Sequence, residues 1–157
     1  MTEAFRTSID IEAPPEQVFD HFVRPELLVR WMGDVARLDA SDGGIFSVDI
    51  NGVMIRGHYV HVERPNLIEI AWGEAGNELM PPGTTRLRVT FEARGSSTRV
   101  ELEHTGLARA EASKHAVGWP HFVARLSVAA RGNDPGPDPW KTSPPGAGVQ
   151  NPPPRTS

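Results

Sequence analysis

Residues 115–131, HAVGWPHFVARLSVAAR, carry the only sustained helical pattern in the chain. Trp119, Phe122, Leu126 and the pair Ala129 and Ala130 fall at helical intervals, which lays one apolar stripe along a helix. At 1.5 Å per residue such a helix is roughly 25 Å long, enough to lie across a sheet of ordinary width. Ala108 to Val117 reads as its opening turns. Pro120 sits inside the pattern, and its missing N–H and bulky ring predict a kink or a restart at Gly118-Trp119.

Nearly everything before this helix reads as strands. Phe5, Thr7, Ile9 and Ile11 alternate with Arg6, Ser8, Asp10 and Glu12, the mark of a half-buried first strand. Two short helices follow: one opened by Pro14-Pro15-Glu16, with Val18, Phe19 and Phe22 as its buried stripe, and one opened by Pro25-Glu26 and stopped at Gly33. Strands then resume at Val35. Asn51-Gly52 is the strongest hairpin signal in the chain, and Gly57 inside the returning strand predicts a bulge or bend. Residues 73–83, GEAGNELMPPG, form a loop too long for a tight turn. Val100, Leu102 and His104 share one face of the last strand, which Thr105-Gly106 is expected to end. The resulting layout is α+β, with a curved antiparallel sheet of about six to seven strands wrapping a long C-terminal helix.

The chain has 157 residues, a formal charge of −4 and no cysteine. One core is expected at this length. Disulfides, thiolate metal sites and cysteine nucleophiles are excluded. The acidic balance without a basic run argues against a nucleic-acid footprint, and no stretch is apolar enough to insert in a membrane. The N-terminus lacks an apolar signal core, so a cytoplasmic location is expected. From Gly132 to Ser157 prolines and glycines dominate and Trp140 is the only large apolar side chain. Residues 3–131 are therefore expected to be the domain and 132–157 a disordered tail, with Asp138-Pro139-Trp140 able to dock back onto it.

The ordered set of features resembles the helix-grip fold of the START-related, polyketide-cyclase-like (SRPBCC) superfamily, and within it the homologues of the heat-shock ATPase activator's C-terminal domain. The residues that carry the resemblance are Ala13-Pro14-Pro15-Glu16-Gln17-Val18-Phe19, Leu28 to Trp31, the run GHYVHVERP from Gly57 to Pro65, Trp72, the run TRVELEHTG from Thr98 to Gly106, and Gly118-Trp119 with Leu126. The resemblance implies a cavity between the sheet and the C-terminal helix.

Strand parity and helix periodicity give that cavity an expected lining of Trp31, Phe46, Val48, Ile70, Trp72, Val89, Phe91, Leu102, His104, His115, Trp119 and Phe122. Each of these residues could equally be ordinary core. His104 and His115 share faces with core positions and could orient a carbonyl or hydroxyl of a ligand or pass a proton. No metal site is expected. His58 and His61 point to opposite faces of a strand unless a bulge intervenes, and His115 and His121 do not converge on a helix. Phosphate-binding loops, dinucleotide fingerprints and nucleophile elbows are absent, and no cofactor is expected. Arg86 and Arg88 face outward by parity, whereas residues 73–83 suit a cavity rim.

Three readings stay open. The first is a carrier or sensor binding a small apolar or amphipathic molecule. The second is an enzyme of cyclase, dehydratase or hydrolase type in the same cavity. The third is an interaction module acting on a chaperone ATPase. Monomer and homodimer are both compatible with the sequence.

Overall fold

The computed structural model describes residues 2–143. Strand β1 (Thr2–Ile11) leads into helices α1 (Pro15–Val23) and α2 (Pro25–Leu28). Strands β2 (Val35–Leu38), β3 (Ile45–Ile50), β4 (Val53–Glu63), β5 (Leu67–Trp72), β6 (Thr85–Arg94) and β7 (Ser97–Ala108) follow, and then helix α3 (Arg109–Ala130). The seven strands form one curved antiparallel sheet in the order β1-β7-β6-β5-β4-β3-β2. It is a meander closed at one end by pairing of the first strand with the last, and it has the α+β helix-grip architecture.

Local chemistry accounts for the turns and the curvature. Asn51 (φ 50°) and Gly52 (φ 90°) both take left-handed backbone angles, the requirement of the tight turn that joins β3 to β4. At Gly57 a Cβ would lie 1.7 Å from the Ala71 carbonyl oxygen, so only glycine lets β5 approach there. The register of β4 on β5 shifts between Tyr59 and His61, leaving Val60 as the extra residue of a bulge.

Inward positions of the sheet meet α1 in an aromatic cluster. Phe19 and Phe22 pack edge-on against Phe91 at 5.3 and 5.4 Å, and Trp31 lies 5.0 Å from Phe22. Burying each such ring stabilises the fold by about 1.5–3 kcal/mol. Their polar neighbours are satisfied: the Trp31 indole N–H donates to the His21 carbonyl at 2.9 Å and the Tyr59 hydroxyl to the Phe22 carbonyl at 2.9 Å.

Three features differ from the expectation. Helix α3 runs through Pro120 without a break. The missing donor costs one intrahelical bond, and burial of Trp119, Phe122, Val123 and Leu126 on both sides of it outweighs that loss. Strand β7 likewise continues past Gly106 to Ala108, because β1 supplies partners beyond it: Glu3 pairs with Leu107 and Thr2 with Ala108.

The third difference is the segment 132–143, which was expected to be disordered apart from Asp138-Pro139-Trp140 docking back, and which instead lies against the domain over more of its length. Arg125 donates from Nη2 to the Gly136 carbonyl at 2.9 Å, Arg30 donates to the Asn133 carbonyl at 3.0 Å, and Lys141 pairs with Asp34 at 2.6 Å. Its composition suggested disorder because the partners belong to the domain and not to the segment. The rest of the expected tail, 144–157, lies outside the described residues.

Candidate functional site

Between the β3–β4 end of the sheet and helix α3 lies a cleft of about 320 Å³. Ile50, Val53 and Ile55 form its sheet wall, Trp72 and Met80 its floor, and Trp119 and Phe122 its helix wall. Trp140 from the C-terminal segment closes one side, stacked on His121 at 3.5 Å with ring planes 8° apart. Gly118 faces the same space, and a Cβ placed on it would meet nothing within 4 Å. Glycine inside a helix costs about 1 kcal/mol relative to alanine, and here it leaves room in the cleft. A wider depression of about 460 Å³ sits over Arg6, Arg88, Glu101 and Glu103. Its lining is mainly charged and polar, whereas that of the cleft is mainly apolar.

Behind the cleft runs a fully directed chain of hydrogen bonds. An indole can only donate, so the Trp119 N–H fixes His104 Nδ1 as the acceptor at 3.1 Å. The neutral ring then carries its proton on Nε2 and donates to the Thr85 hydroxyl at 2.8 Å, which in turn donates to the Trp72 carbonyl at 2.8 Å. Burial, with a smaller contribution from the neighbouring His115, holds the His104 pKa down to about 3. Both ring nitrogens are committed. His104 braces the cleft wall and offers nothing to a ligand.

His115 is the opposite case. Its Nδ1 lies 2.7 Å from the Glu111 backbone carbonyl, which only accepts, so the proton is on Nδ1. Burial lowers its pKa, and the neutral ring presents an Nε2 lone pair with no hydrogen-bond partner among the described residues. His115 borders the cleft. One turn earlier, the Glu111 carboxylate is only 2 % exposed. It accepts from Asn77 Nδ2 at 3.0 Å and lies 3.4 Å from Lys114 Nζ. The same Asn77 amide donates to Glu74 at 3.0 Å, so its two hydrogens bridge two cleft-lining carboxylates and tie the 73–83 loop to α3. The Trp72 indole nitrogen, by contrast, is sealed from the cleft: it is fully buried and has no hydrogen-bond partner among the described residues.

Of the residues expected to line the cavity, Trp72, His115, Trp119 and Phe122 border the cleft. Trp31, Phe46, Val48, Ile70, Val89, Phe91 and Leu102 do not: they are buried in the packed core. His104 stands one layer behind. The reason is where the cleft lies. It opens over the turn end of β3 and β4, from Ile50 to Ile55, so Phe46 and Val48 earlier on β3, the inward residues Ile70, Val89, Phe91 and Leu102 of β5, β6 and β7, and Trp31 belong to the packed core. Met32, Ile50, Asn51, Val53, Ile55, Glu74, Met80, Glu111, Lys114, Gly118 and Trp140 are lining residues that the expected set omits. Glu74 and Met80 belong to the 73–83 loop that was expected at the rim, and Gly118 and the Asn51-Gly52 turn were the other available signals for this end of the molecule. Glu111 and Lys114 gave none.

Residues 12–131 match the family model described as activator of Hsp90 ATPase homolog 1-like protein. The solution structure of an AHSA1-like protein from Rhizobium etli is 32% identical, with a TM-score of 0.71 and a match covering 89% of each chain. An HSP90 activator from Plasmodium falciparum is 23% identical over 80% of this chain and 94% of its own, with a TM-score of 0.66. The Aha1 dimer from Colwellia psychrerythraea is 19% identical over 82% of this chain and 96% of its own, with a TM-score of 0.71. These last two are likenesses of fold. No curated protein matches the chain.

Proposed function

Because the chain belongs to the family of activator of Hsp90 ATPase homolog 1-like proteins, whose fold is in general that of a ligand-binding cavity domain, we propose that it binds a small apolar or amphipathic molecule in the cleft under α3, as a carrier or sensor. The observation that carries this reading is the open space of about 320 Å³ walled by Trp72, Met80, Trp119 and Phe122. That is the lower end of the usual range for small-molecule sites, roughly 300–1,000 Å³. Gly118 supplies the test. Gly118→Leu would project a side chain into the cleft while improving helix propensity. Native mass spectrometry should find a small molecule on protein purified from its own cells and none on the variant, and N-phenyl-1-naphthylamine should bind only the parent. Equal probe binding by both would overturn the proposal.

One observation favours the enzyme as a second reading: His115, with a free Nε2, sits one turn from the buried Glu111 carboxylate in the same cleft. A co-purified molecule chemically altered by the parent but not by His115→Ala would establish it. Self-association is proposed by likeness to the Colwellia dimer alone. Light scattering giving the mass of a single chain at all concentrations would reject it.

A further inference from the structure

We infer that the cleft selects a cationic amphipath, an ammonium group carried on an apolar ring, over the neutral or anionic molecule of the same shape. The inference rests on the cleft being a ligand site and deepens it by naming the charge of the ligand's polar end.

A single amide brings two carboxylates together at the edge of the cleft. Glu74 Oε1 and Glu111 Oε2 each lie 3.0 Å from Asn77 Nδ2, so the two oxygens are no more than twice that distance apart. Lys114 is the single cation among the described lining residues, and its Nζ lies 3.4 Å from the same Glu111 oxygen. The lining therefore carries two negative charges against one positive, beside a neutral His115. Glu111 is 2 % exposed and acts through its charge rather than by contact, and a buried charge is little screened by salt. The Lys114 side chain is 56 % exposed, and water weakens its opposing field more strongly. Glu74 is half-buried and faces the cleft.

The other walls suit the same ligand. Trp119, Phe122 and Trp140 border the space, and an aromatic face attracts an ammonium within about 6 Å of its centre. His115 adds an acceptor: its proton is held on Nδ1 by the Glu111 carbonyl, and Nε2, unlike the Trp72 nitrogen, is not sealed. An ammonium N–H donates to such a lone pair. A ligand carboxylate has no proton for His115 and is repelled by Glu74 and Glu111. A neutral alcohol serves His115 but leaves the carboxylate pair one cation short. Ile55 and Met80 supply apolar surface for the ring.

Isothermal titration at neutral pH and low salt with 1-naphthylmethylamine, 1-naphthylmethanol and 1-naphthoate tests this directly. The three share one ring system and differ in the charge of the polar end. The expected result is that the amine binds about tenfold or more tightly than the alcohol, the scale of one charge-assisted contact, with the advantage shrinking as salt is added. Glu74→Gln and Glu111→Gln, which keep an acceptor for Asn77 but remove a charge, should each reduce that advantage. Lys114→Gln, at an exposed side chain, should enlarge it several-fold. Affinity for the alcohol should change little in all three variants, a pattern that a damaged cleft would not give. Equal affinity for amine and alcohol would overturn the inference while leaving the cleft as a ligand site, and so would an advantage unaltered in all three variants. Tightest binding of 1-naphthoate would overturn it in favour of an anion site at Lys114. Binding of none of the three would remove the cleft reading as well.

Discussion

His104 joins two elements through a proton it never gains. In the fold its pKa is held at about 3 by burial, whereas the same ring in the unfolded chain titrates near 6.5. Between those values the unfolded state takes up a proton that the folded state refuses, so stability is fully present above pH 6.5 and declines as the pH falls toward 3. The decline from this one ring is up to about 1.4 kcal/mol per pH unit. His115 and His21, also lowered by burial, act in the same direction below 6.5. Urea midpoints should therefore fall between pH 7 and pH 5. His104→Leu should flatten that dependence while being less stable at pH 7, because Trp119 and Thr85 lose their partner. An unchanged slope in the variant would refute this account. Strand parity was enough to place His104 on the inner face, but parity cannot say that an indole from another element will occupy its Nδ1. Glu111 was illegible for a related reason. A carboxylate in the first turn of a helix normally faces water, and its burial here depends on Asn77, which is 34 residues away in the chain.

At the scale of elements, α3 carries a proline where a helix prefers anything else. Pro120 is exposed, so replacing it disturbs no packing. Pro120→Ala restores a donor to the helical ladder and should raise stability, by about 1–3 kcal/mol, visible as a higher melting temperature. A lower melting temperature would mean that the ring makes a contact the helix depends on. The sequence signals were sound wherever structure is local: the alternation through Phe5, Thr7, Ile9 and Ile11, and the Asn51-Gly52 turn, specify their elements without outside help. They failed at Pro120 and Gly106, where a local breaker is overruled by burial of Trp119 and Leu126 or by pairing with β1.

Across the whole molecule, the C-terminal segment completes one wall of the cleft. Asp138 accepts from His121 Nε2 at 2.8 Å and from the Trp140 backbone N–H at 2.9 Å, which holds the indole beside Phe122. Trp140→Ala should leave the domain folded, with its melting temperature little changed, but should weaken N-phenyl-1-naphthylamine binding several-fold and speed its release, as measured by stopped-flow fluorescence. Unaltered release would show that Trp140 does not cover the ligand. Composition pointed to disorder here because it records what a segment can bury by itself, not what a neighbouring domain offers it.

The pairing of β1 with β7 also sets a timetable. Thr2 pairs across with Ala108, and Ile11 with Thr98, so β1, which is synthesised before the other strands of this sheet, has no partner until β7 has emerged. At a synthesis rate of roughly 5–20 residues per second, β1 waits for seconds with its backbone donors and acceptors unpaired. The meander from β2 to β7 can assemble from neighbours, whereas closure of the sheet is a long-range event that comes late. During synthesis, the exposed edge of β7 where β1 belongs is the place most open to pairing with the wrong chain.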